Sequence, residues 1–556
     1  MEKIWLKSYQ KGVPEEIEVQ DDATLVELIE TSCDKYSALD AFECMGGKLS
    51  YAQLDAQSKA LASYFLEECQ LKKGDRVAAM MPNILPYPVA LFATLRAGLT
   101  MVNVNPLYTP RELEHQLKDS GAKVLIVVEN FAHVYETVKD KVPVEKVLLT
   151  TLGDGLNPLK KLLVNSVVRH VKKMVPAYNL PQASPLGCAV KKGYKLPYHP
   201  HKVTPEDVAF LQYTGGTTGV SKGAVLTHKN LCSNVEQAYQ WIKDVVKVGQ
   251  DKVITALPLY HIFALTANCL TFIRLGAKNI LITNPRDIPG FIKELKKHPF
   301  TIFTGVNTLF NALLNHENFK QLDFSHLRAV LGGGMAVQSD VAKRWQQVTG
   351  MPIHQAYGLT ETSPAACINP LGSSKFNGSI GLPISSTEIE IRDDNNKSLP
   401  VGEIGELCIR GPQVMKGYWQ RPEATAEVLD DAGWLRTGDI AKMDDKGYVY
   451  IVDRKKDMIL VSGFNVFPNE IEDVLASHPE IVEAAVVGVA DSKSGEQVKA
   501  FVVKSNPNLD PQTIISFCRE HLTGYKVPKI IEFRDELPKT NVGKVLRRAL
   551  KEPPAS

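Results

Sequence analysis

From about residue 50 onward, short apolar runs alternate with helical segments, and this alternation restricts the possible folds more than any other feature. Pro88 to Gly98 reads as a helix ended by glycine and Leu99 to Val104 as a buried strand. Thr109-Pro-Arg-Glu112 is a capping box with proline at the first helical position, and Lys123 to Val128 is a second buried strand. Fully apolar strands separated by helices imply parallel sheet covered on both faces. A second series, Val253 to Ala256, Asn279 to Thr283, Thr301 to Thr304 and Arg328 to Gly332, repeats the pattern. Two α/β layers are therefore expected in the first ~370 residues.

The character changes at Glu388 to Ile451, where "EIEIRD" and "GELCIRG" stand between Gly, Pro and Asp turns and read as a small antiparallel barrel or sheet. From about Met458, helices at Pro468 to Ser477 and Pro511 to Leu522 mix with strands at Ala484 to Val489 and Val498 to Val503, which predicts a compact α+β domain. The charged run "VDRKKDMI", Val452 to Ile459, lies at the junction. At 556 residues the chain exceeds one ordinary core, so several units are expected.

A net charge of +2 gives no global signal for nucleic acid. Nine cysteines, an odd number without a CxxC pair, argue for reduced thiols in a cytoplasmic setting and against structural zinc. The N-terminus lacks the apolar stretch of a secretory signal, and the most apolar region, Ile84 to Val104, is broken by Pro86, Pro88 and Arg96. No segment reads as a membrane span.

Four stretches carry chemistry. "YTGGTTGVSKG", Tyr213 to Gly223, sets four glycines and three threonines ahead of a single lysine, Lys222. Such a loop lets backbone N–H groups approach phosphate oxygens, yet it lacks the Gly-Lys-Ser/Thr ending of a nucleotide-triphosphatase loop. "QAYGLTETSP", Gln355 to Pro364, offers Tyr357 for stacking and Glu361 as a carboxylate for Mg²⁺. "GWLRTGD" ends in Asp439, an acceptor suited to ribose hydroxyls, and "LPKTNVGKVLRR" presents Lys544 before a basic helix. Taken singly, each also reads as an ordinary loop, turn or solvated tail.

In this order, over more than 300 residues, the four resemble the adenylate-forming superfamily of acyl-CoA synthetases, luciferases and peptide-synthetase adenylation domains. The run "GWLRTGDIAKMDDKGYVYIVDRKKDMILVSGFNVFPNEIE" is similar to the fatty acyl-CoA synthetase signature, and "NVNPLYTPRELEHQL" and "VITALPLYHIFALT" extend the likeness to the bacterial long-chain branch. The resemblance implies an α/β fold: a large N-terminal domain, 1–452, of two α/β subdomains plus a small β-barrel, a hinge at 453–459, and a small mobile α+β domain at 460–556. It implies ATP-dependent conversion of a long-chain fatty acid to its CoA thioester through an acyl-adenylate, with ATP, Mg²⁺ and coenzyme A, in fatty acid degradation.

The resemblance also distributes roles. Tyr213, Thr214, Gly215, Gly216, Thr217, Thr218, Gly219, Lys222 and Gly223 would grip the β- and γ-phosphates. Gly332, Gly333 and Gly334, with Gln355, Tyr357 and Gly358, would line the adenine face, and Thr360 would meet the α-phosphate. Thr217 and Glu361 would lie near Mg²⁺, Asp439 would take the ribose hydroxyls, and Arg454 would stand nearby. His261 would sit at the reacting carboxylate and Lys544 would bridge carboxylate and phosphate. Lys456 matches the hinge about which the C-terminal domain swings, and Gly463 would let pantetheine pass.

Between His261 and Arg274 every side chain is uncharged, which weighs against an amino-acid substrate. Ile262, Phe263, Val306, Leu309 and Phe310 are candidates for an acyl tunnel or simply for core, and Leu265 stands where some long-chain synthetases carry a tryptophan gate. Leu159 to Val175, "LKKLLVNSVVRHVKKMV", would form a helix with one apolar and one basic face. Its simpler reading is a surface helix packed on the core; the other is peripheral docking on the anionic inner membrane. Two rivals stay open, a medium-chain or aryl acid ligase and a fatty-acid-binding membrane protein regulated by nucleotide. Oligomeric state is open, a homodimer included.

Overall fold

The computed structural model describes residues 2–214, 221–462, 464–491, 494–540 and 543–551. Gly215, Gly216, Thr217, Thr218, Gly219 and Gly463 therefore lie outside the described residues.

Two α/β layers form as the alternation predicts. The first is a seven-stranded sheet in the order Ser184–Pro185, Lys146–Thr150, Val124–Val128, Arg76–Met80, Thr100–Val104, Val208–Thr214, Lys222–Thr227. Every neighbouring pair is parallel except the last. Val77, Ala79, Val124 and Ile126 enter one core and Ala78, Met80, Leu125 and Val127 another, so both faces of the sheet are buried. Thr109 caps Pro110–Ser120 through the expected box with Glu112, and Gly121, at φ 62°, ends that helix in the left-handed conformation.

The second layer is a nine-stranded sheet whose centre runs His354–Gly358, Ala329–Gly332, Ile302–Gly305, Lys252–Thr255, Lys278–Leu281. Its far edge is the hairpin Asp40–Cys44 and Gly47–Ser50, in which Phe42 aligns in parallel with Asn279. The N-terminal segment thus completes the second sheet by pairing Phe42 with Asn279, 237 positions away, which no local pattern encodes.

Glu388–Arg392, Gly405–Arg410, Leu435–Met443 and Val449–Arg454 pair in sequence as an antiparallel sheet. Of the barrel or sheet anticipated, the described pairing gives an open four-stranded sheet. The C-terminal part folds on its own core of Ile459, Val466, Ile471, Val486, Val498 and Ile514, around the long hairpin Ile481–Asp491 and Gly495–Lys504. Helices Pro468–Ala476 and Pro511–His521 fall where expected.

The amphipathic segment departs from its simpler reading. Pro158–Ser166 is an α-helix that continues as π-helix over Val167–Val171, and no residue of the first nine is buried. Val168 is buried and Val164 packs on the core, but Leu159, Leu162, Leu163, Val171 and Met174 face solvent. Burying a leucine fully is worth ~1.5–3 kcal/mol, and here that stabilisation is not taken.

Candidate active site

The glycine-rich stretch joins two antiparallel strands, Val208–Thr214 and Lys222–Thr227, with Tyr213 opposite Gly223 and Thr214 opposite Lys222. The strands on either side of it are antiparallel neighbours, unlike the strand and helix that flank nucleotide-triphosphatase loops. The Tyr213 hydroxyl donates to Asp119 Oδ2 at 2.7 Å, so its side chain anchors the strand below the loop. Gly223 is small because the Tyr213 ring lies 3.1 Å from where a Cβ would stand. Asp119 also pairs with Arg421 at 2.5 Å, and its carbonyl accepts from Trp419 Nε1. The loop base is thereby tied to the segment 415–421.

That segment supplies a residue missed in the sequence. The Tyr418 hydroxyl donates to Glu361 Oε1 at 2.7 Å, while Lys222 Nζ lies 5.1 Å from the centre of the Tyr418 ring. One aromatic ring thus stands between the lysine of the phosphate loop and the carboxylate expected near the metal. Glu361 sits on the 3₁₀ turn Thr360–Thr362, held by Met415 N–H donating to the Glu361 carbonyl. A cleft of about 310 Å³ opens here, lined by Glu361, Tyr418, Glu427, Thr437 and Gly438. Neither residue type nor spacing marks Tyr418 within "KGYWQRP".

Asp439 and Arg454 face each other on neighbouring strands, and Arg454 Nε lies 3.0 Å from Asp439 Oδ1. The Tyr357 hydroxyl donates to Asp439 Oδ2 at 2.6 Å. Burial and the Asp439 charge push the Tyr357 phenol well above its usual range, so it remains a donor. Asp439 is 2% exposed, and Arg454 compensates its buried charge.

Gly332 ends the strand Ala329–Gly332, and Gly333 and Gly334 follow it to form a slot. A Cβ on Gly333 would stand 2.9 Å from the Ala356 carbonyl and 3.0 Å from the Phe263 ring, and Gly334 has φ 75°. Gln355 differs from expectation: its side chain accepts from Val337 N–H at 2.8 Å and donates to the Ser379 carbonyl at 2.9 Å, so it holds the slot's backbone. Gly358 is likewise a packing residue, because a Cβ there would stand 1.7 Å from the Pro364 carbonyl. Thr360 opens the turn that carries Glu361.

His261 follows the strand Lys252–Thr255 and precedes a π-helical turn, Ala264–Leu270, a rare geometry enriched at functional sites. Its Nδ1 accepts from Phe263 N–H at 3.3 Å. Burial and the nearby Lys544 charge push its imidazole down to about 4, so it is neutral at physiological pH. Leu265 is fully buried inside the turn. Ile262, Phe263, Val306, Leu309 and Phe310 are all buried, and Phe310 packs against Phe303 and Trp345 as core.

Lys544 arrives from the C-terminal part. Thr308 Oγ1 donates to the Gly543 carbonyl at 3.2 Å, which seats the lysine's loop on the helix Asn307–Leu314. Burial, Arg454 and Lys456 push the Lys544 ammonium down to about 8, against the pull of Asp439. Lys456 itself is exposed at the junction. Arg547, three residues on, reaches Glu472 at 2.8 Å, Asp457 at 3.2 Å and Asp453 at 3.5 Å. In sequence it stands in a basic run, and the carboxylates that engage it lie 75 to 94 positions away.

Tyr357, Glu361, Asp439, Arg454, Lys222, His261 and Lys544 thus converge from three sheets and the C-terminal loop. The arrangement brings cations, a carboxylate and a buried acceptor into one region, with Glu361 on the wall of the cleft, as transfer at a phosphate requires. The AMP-binding enzyme family matches residues 29–419, and the AMP-binding enzyme C-terminal domain matches 470–544. The chain is 56% identical to the long-chain-fatty-acid–CoA ligase of Escherichia coli O6:H1 and 57% identical to that of Salmonella typhimurium, in each case over 99% of this chain and 98% of the relative. ATP-bound MatB from Rhodopseudomonas palustris superposes with a TM-score of 0.82 at 29% identity, covering 95% of this chain and 98% of that one. Site, fold and sequence agree: this chain belongs to the AMP-binding enzyme family.

Proposed function

We propose that the protein is an ATP-dependent long-chain fatty acid–CoA ligase, which joins fatty acid and CoA while splitting ATP to AMP and pyrophosphate, for fatty acid degradation. The carrying observation is Lys544, delivered by the C-terminal part into a site that also holds Asp439, Arg454 and His261. The identity to long-chain ligases over nearly the whole chain supports the substrate class.

In the first half-reaction a carboxylate oxygen of the fatty acid attacks the α-phosphorus of ATP, the bond from that phosphorus to the bridging oxygen breaks, and pyrophosphate leaves. Lys544, protonated below about pH 8, balances the charge gathered between carboxylate and phosphate. Asp439 accepts from the ribose hydroxyls, and the glycine slot at 332–334 takes the adenine. Lys222 and the loop it ends hold the departing phosphates. Neutral His261 adds no charge that would compete for the carboxylate.

Among the described residues no cluster of three or more His, Cys, Asp or Glu forms a metal cage. Glu361 is a hard oxygen donor beside the phosphate loop, and this fits Mg²⁺, which takes few protein ligands and several from phosphate and water. When bound, the ion supplies charge stabilisation at the phosphates. Glu361, with Thr217, would hold it.

In the second half-reaction the CoA thiol loses its proton to solvent, its sulfur attacks the acyl carbonyl, the bond from that carbon to the phosphate oxygen breaks, and AMP leaves. Lys544 covers that face, so the C-terminal domain rotates about Lys456 and brings the loop around Gly463 to the site. The separate core that begins at Ile459 supports a domain division at 453–459. Phe263, against the glycine slot, is the best-supported wall of the acyl path. Peripheral contact with the inner membrane belongs to this reading.

AMP release measured with CoA over acids of increasing length tests the assignment. KM should fall by up to about fourfold per added methylene until the path is full. A maximum at aryl or medium-chain acids would replace the long-chain reading.

A further inference from the structure

The segment Pro158–Met174 is the most unusual surface of the molecule. Among the described residues, the four most exposed large apolar side chains are Leu159 at 84%, Val171 at 73%, Leu162 at 68% and Leu163 at 63%, all within thirteen residues. Met174 is also exposed. Contiguous exposed apolar side chains of this kind mark an interaction site.

Its charge identifies the partner. Residues 155–205, fifty-one in a row, contain no Asp or Glu and nine Lys or Arg, in a chain that otherwise carries 62 acidic residues. Carboxylates from outside that stretch pair with three of its cations: Asp154 with Lys161 at 2.5 Å, Glu68 with Lys192 at 2.6 Å, and Glu129 with Arg169. Lys172 and Lys173 stay exposed beside Val171 and Met174. A groove of about 320 Å³ runs along the helix between Leu162, Lys161, Arg169 and His170. Apolar side chains flanked by the exposed cations Lys172 and Lys173, in a stretch without acids, fit an anionic lipid surface, where the former enter the acyl boundary and the latter meet headgroup phosphates.

The position connects this surface to the site. Leu156 fills the space above Gly47, and Gly155 lies against Leu85. Two residues before Leu85, Asn83 Nδ2 donates to the carbonyls of Thr255 and Leu257 at 2.9 Å, and its Oδ1 accepts from Leu259 N–H at 2.8 Å. Leu259 stands two residues before His261. The helix, the 83–85 loop and the 257–261 segment are thus consecutive neighbours.

We infer that Pro158–Met174 is a membrane-docking surface that seats the enzyme on an anionic bilayer beside the path to His261, so that long-chain acid is taken from the bilayer. The inference rests on the ligase reading for its substrate, but lipid binding is measurable without catalysis.

The test sediments the full chain with vesicles of phosphatidylethanolamine and phosphatidylglycerol, and with vesicles of phosphatidylcholine alone. The anionic vesicles should bind it, with binding falling as salt rises, and the neutral ones should bind at least ~10-fold less. Two variants should each lose ~10-fold or more: Leu159→Ser with Leu162→Ser and Leu163→Ser, and Lys172→Glu with Lys173→Glu. Both should keep wild-type AMP release with a soluble acid and lose it with acid held in anionic vesicles. Undiminished vesicle binding by either variant overturns the inference. So does sedimentation showing that the serine variant is a monomer where the wild type is a dimer indifferent to vesicles, since the surface would then meet a second copy. Absence of AMP release from the wild type with any soluble acid would instead count against the ligase reading.

Discussion

At the residue scale Lys544 carries the most weight. Burial with Arg454 and Lys456 lowers its ammonium to about 8, and for a cation lowered in this way the charged form is lost as pH rises through that value. The kcat/KM for acyl-adenylate formation should therefore fall above about pH 8, whereas thioester formation from preformed adenylate should not follow that limb. A shared limb would place the titrating group elsewhere. Lys544→Ala should slow adenylation by ~10² or more, roughly 3 kcal/mol, and spare the second half-reaction in single-turnover assays. Tyr357→Phe removes the hydroxyl that donates to Asp439 at 2.6 Å, and ATP affinity should drop ~5-fold, read as KM for ATP with kcat nearly unchanged. An unchanged KM would mean that Asp439 needs no such support.

At the element scale the junction matters most. The strand Val449–Arg454 ends in Asp453, which accepts from Asn469 N–H at 2.8 Å and lies 3.5 Å from Arg547 Nη1. Burial raises the Asp453 carboxyl to about 6, against the pull of Arg547. Under the proposed rotation about Lys456 these two contacts would break, whereas Arg547 would keep Glu472, which lies on the same side of the junction. Asp453→Ala should then slow adenylation by about tenfold, near 1.4 kcal/mol, and leave thioester formation equal or faster. Equal losses in both would make the cluster a stability element only. None of this was legible in "VDRKKDMI", which shows a charged junction but not which acid meets which base. Elements set by local periodicity were legible within a residue or two, as at Val124–Val128 and the Thr109 cap. The hairpin Asp40–Cys44 and Gly47–Ser50 was not, because its partner strand is fixed by topology alone.

At the scale of the whole molecule, two α/β layers, an antiparallel sheet and a C-terminal module each supply candidate residues from distant parts of the chain. Candidate residues borne by motifs, such as Glu361, Asp439 and Lys544, could be singled out because their neighbours in sequence carry the pattern. The groups that position them, Tyr418, Asp119 and Thr308, could not, since each acts across more than fifty residues. The exposed face of Pro158–Ser166 was legible as amphipathic, but which way it points depends on tertiary packing. Activation through an adenylate is the claim on which every role above depends. Fatty-acid-dependent exchange of labelled pyrophosphate into ATP, measured without CoA, tests it most directly. The account predicts exchange that requires a long-chain acid and Mg²⁺ and is lost in Lys544→Ala; no exchange from a wild-type enzyme that binds both ATP and fatty acid would contradict it.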